Sequence, residues 1–340
     1  MSSPLYDCLV LGAGPAGLAA AVTLGRSYLK VLVFSNNKFR NAISGHMHTM
    51  PTWDHKDPAE YRVAAQKEIV DKYRTVSFAN TEITLLESEA TLSGGTQTQF
   101  AAVTAQGERF RGRKIIIATG CQDVFPPIEG FGDGWGKRIF HCLFCRGYED
   151  YTHLPVGILC LSLEAHKLIS TLSLAFFSTN FTSSSQPPTL LTNGAMSSSD
   201  LEEVAVRTPM RGTLGLKTDS RRIKSIEHDP REPDQITVHF SDGESQTFGF
   251  LVHKADTQTV GNWAEQLKIE TISSNPSSDL KLVSPMGETS VKGVFAAGDC
   301  ATPLKQVTNA VAMGVIAGAG VANAVTVEKM SRHNLEFGLE

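Results

Sequence analysis

The sequence predicts an α/β protein of two Rossmann-like nucleotide-binding domains, the first of them discontinuous. Three observations carry this. The apolar run Asp7-Cys8-Leu9-Val10-Leu11 enters the glycine loop Gly12-Ala13-Gly14-Pro15-Ala16-Gly17 at once, and a helix and a second strand follow within about 30 residues. A second apolar run, Lys114 to Gly120, ends in a tight-turn sequence. Far down the chain, Val291 to Asp299 reads as another buried strand closing on Gly298-Asp299, so the chain returns to its first domain. The resulting division is 1–122 with 250–340, and 123–249 between them.

The elements follow in order. Asp7 to Leu11 is a short apolar strand, Leu18 to Leu24 an alanine-rich helix, and Lys30 to Phe34 the second strand. A polar stretch with aromatics runs from Arg40 to Glu60, and helical spacing returns from Pro58 to Tyr73. Thr81 to Leu92 and Gln99 to Ala105 read as strands of a meander. Pro126-Pro127 breaks the chain beside the domain boundary. In the middle domain a strand spans Pro155 to Leu161, with a helix after it. Ser178 to Ser199 is rich in Ser, Thr and Pro, and its end reads as a loop. Ile236 to Phe240 and Gln246 to Val252 flank an Asp242-Gly243 turn, and Val307 to Val325 is a long helix of small residues.

Composition narrows the class. The chain has 340 residues, 41% of them hydrophobic, enough for two cores. A net charge of -4 gives no reason to expect nucleic acid or an anionic membrane as partner. No run reads as the roughly 20 apolar residues of a membrane span, and Met1 to Asp7 lacks the pattern of a signal peptide. The expectation is a soluble, cytoplasmic protein. Cysteine pairs in such a compartment are catalytic more often than structural.

Each glycine of the loop has a task. Gly12 permits the turn, Gly14 lets a pyrophosphate approach the backbone, and Gly17 packs helix on strand. Pro15 and Ala16 open the helix, whose N–H groups and positive dipole end suit phosphate. An acidic residue is expected at the end of the second strand for a ribose hydroxyl, but Phe34-Ser35-Asn36-Asn37 stands there. Ser35 or Asn36 would take that hydrogen bond, and no arginine offers itself for a 2′-phosphate. FAD therefore suits the loop better than NADP. Thr119-Gly120 and Gly298-Asp299 supply two further flavin-type signals, with Asp299 on the ribityl chain and the helix opening at Gln306-Val307 aimed at the flavin pyrimidine.

Between these signals lies His141-Cys142-Leu143-Phe144-Cys145-Arg146-Gly147-Tyr148. Two cysteines three apart close one small reversible disulfide. There are six cysteines in all, no second such pair, and no metal-ligand spacing, so no metal is expected. Cys8, Cys121 and Cys160 lie in apolar runs and read as buried hydrophobes, as does Cys300.

The chain resembles the low-molecular-weight thioredoxin reductases over almost its whole length. More closely, it is similar to the fungal FAD-dependent dithiol oxidases of gliotoxin-type epipolythiodioxopiperazine biosynthesis. The residues carrying the closer likeness are Phe39-Arg40-Asn41-Ala42, the run His46 to Pro58, Cys142-Leu143-Phe144-Cys145, and Gly147-Tyr148-Glu149-Asp150. The resemblance implies that Arg40, His48 and the Ser35–Asn37 region touch FAD. It also implies that Cys145 is the flavin-proximal thiol, that Cys142 exchanges with substrate, and that the protein is a homodimer.

Two departures matter. Where those reductases carry Asp and the oxidases His after the second cysteine, this chain has Arg146, which favours thiolate but moves no proton. Base duty then falls to His141, His46, His48, Glu149 or Asp150, with His141 and Asp150 taken as catalytic residues beside Cys142 and Cys145. In the middle domain, Gly157 lies inside the strand, and the turn Cys160-Leu161-Ser162 puts side chains where NADPH needs bare backbone. The next strand runs into Asn193-Gly194 with no cation for a 2′-phosphate. The expectation is a flavin-dependent oxidase that closes a disulfide in a small-molecule dithiol and passes electrons to O2, giving H2O2. The alternative is an NADPH-dependent thioredoxin or disulfide reductase.

Overall fold

A computed structural model describes residues 4–89, 99–162, 165–195, 216–272 and 279–337. The chain divides into two compact units, Met1–Asp123 with Thr257–Glu340, and Val124–Asp256. Where it leaves and re-enters the first unit, Cys121–Val124 pairs with Asp256–Thr259.

The first unit is built on a seven-stranded sheet. Leu5–Leu11, with its last four residues buried, is parallel to Val31–Ser35 on one side and to Arg109–Ile117 on the other. A run buried on both faces is what a parallel strand covered by helices requires. Val76–Asn80 extends the sheet beyond Val31–Ser35. The sequence pattern missed this strand, because only Val76 of its five residues is fully buried. The other edge of Arg109–Ile117 is shared. Its first half takes the antiparallel meander of Gln99–Thr104 and Ile83–Glu89, and its last residues take the parallel strand Val294–Ala296. That last strand is three residues long, shorter than the Val291 to Asp299 run suggested.

Helix Pro15–Arg26 and the C-terminal helix Val307–Phe337 lie against each other. A Cβ on Gly314 would collide with the carbonyl oxygen of Ala16, and one on Gly318 would press on Thr23 and Ala20. Small residues therefore allow the close approach, and Ala317, Val321 and Val325 are buried beneath it. By length and composition, Val307–Ser331 is apolar enough to cross a membrane, which corrects the reading that no run reaches that length.

The second unit holds a five-stranded parallel sheet in the order Lys217–Asp219, Thr189–Leu191, Val156–Leu159, Phe250–Val252, Ile139–Phe140. A three-stranded antiparallel meander, Ile223–Glu227, Ile236–Phe240 and Ser245–Phe248, packs its buried face beside it. Two corrections follow. The Gln246 to Val252 run is two strands broken at Gly249, the first in the meander and the second in the parallel sheet. Phe250–Val252 pairs with Val156–Leu159, so residues 250–256 belong to the second unit and not the first. The end of the Ser- and Thr-rich stretch, 196–199, lies outside the described residues.

Candidate functional site

In the first unit the strand ends at Leu11 and the chain turns through Gly12 at φ +103°. A Cβ there would strike the Ala118 carbonyl, and one at Gly17 would strike the Gly12 carbonyl. Both glycines are thus demanded by the fold. Gly14 differs, because a Cβ on it would meet nothing within 4 Å. It caps helix Pro15–Arg26 with Pro15 in the first turn, no side-chain cap and no acidic residue in that turn. Bare N–H groups at an uncovered glycine fit a diphosphate. Ala16 is buried and packs under Gly298, whose φ of +80° makes the turn into Asp299.

At the end of the second strand, the buried Ser35 hydroxyl exchanges hydrogen bonds with Asn37, which sits at φ +58°. Asn36 donates from Nδ2 to Glu82 at 3.3 Å. The carboxylate missing from this strand end therefore arrives from Glu82, which a single-segment reading had no means to see. Thr119 donates to the Val260 carbonyl at 2.9 Å and accepts from Trp263 Nε1 at 3.2 Å. Gly120 turns at φ +70° into open space.

The centre of this unit is ionic. Arg40 reaches both oxygens of Asp123, the nearest at 2.7 Å, and gives Nη1 to Asp299 at 3.0 Å. Burial works against the Arg40 charge, but its bonds to Asp123 outweigh that, and the guanidinium is held above its ordinary range. Lys305 ties Asp279 at 2.9 Å to the carbonyls of Asp299 and Thr302, fixing the turn. The Gln306 carbonyl accepts from Ala310 and so precedes the helix that opens at Val307. His48, nearly buried, lies 3.7 Å from Asp54 and edge-on to His55 at 4.7 Å. Asp123, Lys305 and Trp263 escaped sequence reading, since none belongs to a motif.

In the second unit, strand Ile139–Phe140 hands the chain at its carboxyl end to His141 and then Cys142, the usual place for function in an open parallel sheet. Cys142 and Cys145 are disulfide-bonded with Cα atoms 5.3 Å apart. One turn of helix, Leu143–Arg146, forms between them because the Cys145 and Gly147 amides bond to the carbonyls of Cys142 and Leu143. Leu143 anchors the turn in the core, while Phe144 is 63% exposed and rests on Phe177 at 4.8 Å. His141 stacks on Trp135 at 5.6 Å.

Asp150 is buried and both its oxygens are taken by arginine, Arg146 at 2.7 Å and Arg138 at 3.2 Å. Two guanidinium groups on one carboxylate make an anchor, which is not the arrangement of a proton acceptor. Asp150 is thereby set aside as a base, and His141, His46, His48 and Glu149 remain the candidates.

The remaining cysteines are buried and free. Burial pushes the thiols of Cys121, Cys160 and Cys300 up to about 11, 12 and 12, and that of Cys8 higher still. None of the four is a thiolate near neutrality. Gly157 sits within Val156–Leu159, where a Cβ would collide with Leu251. Its glycine thus serves packing, and the buried Cys160 bonds its amide to Leu191. Residues 163–164 of the following turn lie outside the described residues. One expectation changes here. A Cβ on Gly194 would lie 2.8 Å from Arg222 Nε, so a cation does stand beside the Asn193-Gly194 turn. It follows strand Lys217–Asp219 in the chain, and Asn193 Oδ1 accepts from Ile223 N–H to hold the two segments together.

Comparison with known proteins agrees with this geometry. Residues 6–152 match the family described as pyridine nucleotide-disulphide oxidoreductase. The chain is 39% identical over 327 residues to thioredoxin reductase sirT of Leptosphaeria maculans, covering 93% of each. It is 33% identical over 347 residues to thioredoxin reductase aclD of Aspergillus oryzae, covering 98% of this chain and all of that one. Among solved structures, a putative thioredoxin reductase TrxB from Bacillus anthracis matches with a TM-score of 0.80 at 25% identity, over 95% of this chain and 99% of that one.

Proposed function

Because this chain belongs to the thioredoxin reductase-like pyridine nucleotide-disulphide oxidoreductases, we propose that it is a flavin-dependent oxidase of small-molecule dithiols. The family fixes the coarser statements: the protein is a disulfide oxidoreductase and its cofactor is FAD. The first unit fits that cofactor. Gly12, Gly14 and Gly17 with the opening of helix Pro15–Arg26 would hold the diphosphate, Ser35 and Asn36 the adenosine side, and Asp299 with Arg40 the ribityl side.

The observation that carries the reading is the Cys142–Cys145 disulfide, the half-buried sulfur pair in a chain whose four other cysteines are buried and protonated. A substrate dithiol attacks one sulfur as thiolate and forms a mixed disulfide. Its second thiol then closes the product disulfide, leaving two protein thiols. By the family resemblance Cys142 is the attacked sulfur. His141, held flat against Trp135 and next to Cys142, is the group we assign to take and return a proton. Bound FAD supplies two-electron redox chemistry, accepting electrons from a dithiol and giving them to dioxygen, which becomes hydrogen peroxide.

The second reading is an NADPH-dependent disulfide reductase, and Arg222 beside Gly194 is the observation that favours it. The side chains of Cys160, Leu161 and Ser162 weigh against it, as does Gly157 inside its strand. One experiment separates the two. Oxidised holoenzyme is mixed with excess NADPH without oxygen, and the visible flavin band is followed. A small dithiol is then supplied in air and peroxide measured. Peroxide formed in step with dithiol loss, with slow or no bleaching by NADPH, is the expected result. Rapid stoichiometric bleaching would overturn the oxidase reading and install the reductase.

A further inference from the structure

We propose that Asp150 and Arg138 clamp Arg146 as a fixed, partly neutralised charge on the redox turn, and that this clamp sets the reduction equilibrium of the Cys142–Cys145 disulfide. The proposal rests on the reading that this disulfide cycles.

The clamp is built on both sides of Arg146. Asp150 Oδ2 accepts from Arg146 Nε at 2.7 Å, and Oδ1 from Arg146 Nη2 at 3.2 Å. The Asp150 amide also bonds to the Arg146 carbonyl at 3.2 Å, so side chain and backbone hold the same register. Behind Asp150, Arg138 Nη1 closes at 3.2 Å while its own Nη2 is held by Asp234 at 2.8 Å. Asp150 and Arg138 are both buried. The Arg146 guanidinium lies 5.5 Å over the Phe140 ring, the last residue of the strand that leads into His141 and Cys142. Arg146 is thus pinned between the start of the redox turn and its anchor. It cannot swing away as a surface arginine would.

The electrostatic consequence has a definite sign. Reduction replaces a neutral disulfide by two thiols, one of which gains thiolate character beside a cation. A cation near the turn therefore favours the reduced form, and the Asp150 carboxylate tempers it. His141, Tyr148 and Glu149 are the other titratable groups of the turn, and a fixed pH holds their contribution constant.

The test equilibrates holoenzyme without oxygen in glutathione redox buffers. The balanced reaction is protein disulfide plus two glutathione giving protein dithiol plus glutathione disulfide. Alkylation and mass measurement count the free thiols. Asp150→Asn leaves both guanidinium groups facing a neutral amide and raises the reduction equilibrium constant roughly tenfold, about 30 mV for a two-electron couple. Arg146→Gln removes the cation and lowers the constant several-fold. Asp234→Asn, whose carboxylate is almost fully exposed, leaves it unchanged because solvent screens that charge.

Opposite shifts in the first two variants support the clamp, since mere loosening of the turn would move both the same way. Constants equal to wild type in Asp150→Asn and Arg146→Gln, or shifts of one sign in the two, overturn it. Should Asp150→Asn fail to fold, Arg146→Lys beside Arg146→Gln decides: the lysine keeps the charge and stays near the wild-type constant, and a lysine variant shifted as far as the glutamine one overturns the proposal. A wild-type disulfide that neither glutathione nor excess dithiothreitol reduces would instead sink the cycling reading beneath the proposal.

Discussion

Replacing Arg40 by Leu should lower the thermal midpoint of the apoprotein by an amount the ionic geometry sets. Arg40 is 17% exposed, the Asp123 side chain 8% and that of Asp299 21%. The substitution removes three contacts within 3.2 Å to Asp123 and one at 3.0 Å to Asp299. Two carboxylates are then left close together with no cation between them. Breaking a buried pair by deleting one partner costs about 3–5 kcal/mol. A unit of this size loses roughly 2–4 °C per kcal/mol, so the expected fall is on the order of 10 °C. The assay is calorimetry on FAD-free protein, with Arg40→Lys alongside. Lysine keeps the charge and loses the two-pronged grip, so it should fall between. The double variant Arg40→Leu with Asp123→Leu should recover a good part of the loss, because it removes one stranded charge. A midpoint within 2 °C of wild type in Arg40→Leu, on the order of 1 kcal/mol or less, would refute the claim that this bridge organises the unit.

Four further outcomes are expected. Gly14→Ala should fold with an unchanged apoprotein midpoint yet bind FAD at least tenfold more weakly, read by flavin titration, because its Cβ meets open space on the phosphate side and nothing in the protein. Cys142→Ser and Cys145→Ser should each retain FAD by absorbance and lose dithiol-dependent oxygen uptake; uptake that survives would mean that substrate reduces the flavin directly. At pH 8, reduced folded protein should alkylate at two cysteines only, counted by mass, since burial holds Cys121, Cys160 and Cys300 thiols at about 11 to 12 and Cys8 above that, leaving them protonated well past the labelling pH. Sedimentation should give a homodimer that Val315→Glu weakens, because Val315, Ile316, Val327 and Met330 form an exposed apolar side of the C-terminal helix.

What the sequence disclosed follows from how local the physics is. The glycine loop, the first two strands and the cysteine turn are each specified within a few residues, so reading one segment finds them. Gly17 could be given its role in advance because the carbonyl it must clear belongs to Gly12, five residues away, whereas the atoms that crowd Gly12 belong to Ala118 and Thr119, far along the chain. The ionic centre could not. Arg40 meets Asp123 across 83 residues and Asp299 across 259, and only strand order brings them together. Glu82 reaches Asn36 because Val76–Asn80 runs beside Val31–Ser35, the very strand whose weak pattern concealed it. The boundary at 250 failed for a similar reason, since Phe250, Leu251 and Val252 are equally apolar in either sheet and the register with Val156–Leu159 alone assigns them.

The same non-locality bears on which electron partner the enzyme uses. Read along the chain, Asn193-Gly194 offers no cation, and the argument against NADPH has both a steric and an electrostatic part. Folded, the Arg222 side chain stands beside Gly194, and Arg221 is spent on Asp219 through a bond of 2.6 Å. Charge therefore no longer disfavours NADPH here, and shape alone does. Shape still carries weight. A pyrophosphate needs several backbone N–H groups at close range, and one cation behind a side-chain-bearing turn does not replace them. A cation without a cradle favours weak, salt-sensitive capture of anions over productive hydride delivery. Arg222→Ala then discriminates. If NADPH bleaches the flavin slowly in wild type and the slow rate falls with added salt and with Arg222→Ala, the site keeps the charge of a nucleotide pocket without its geometry. If bleaching is fast and Arg222→Ala slows it at every salt concentration, the pocket is intact and the oxidase reading fails at its root.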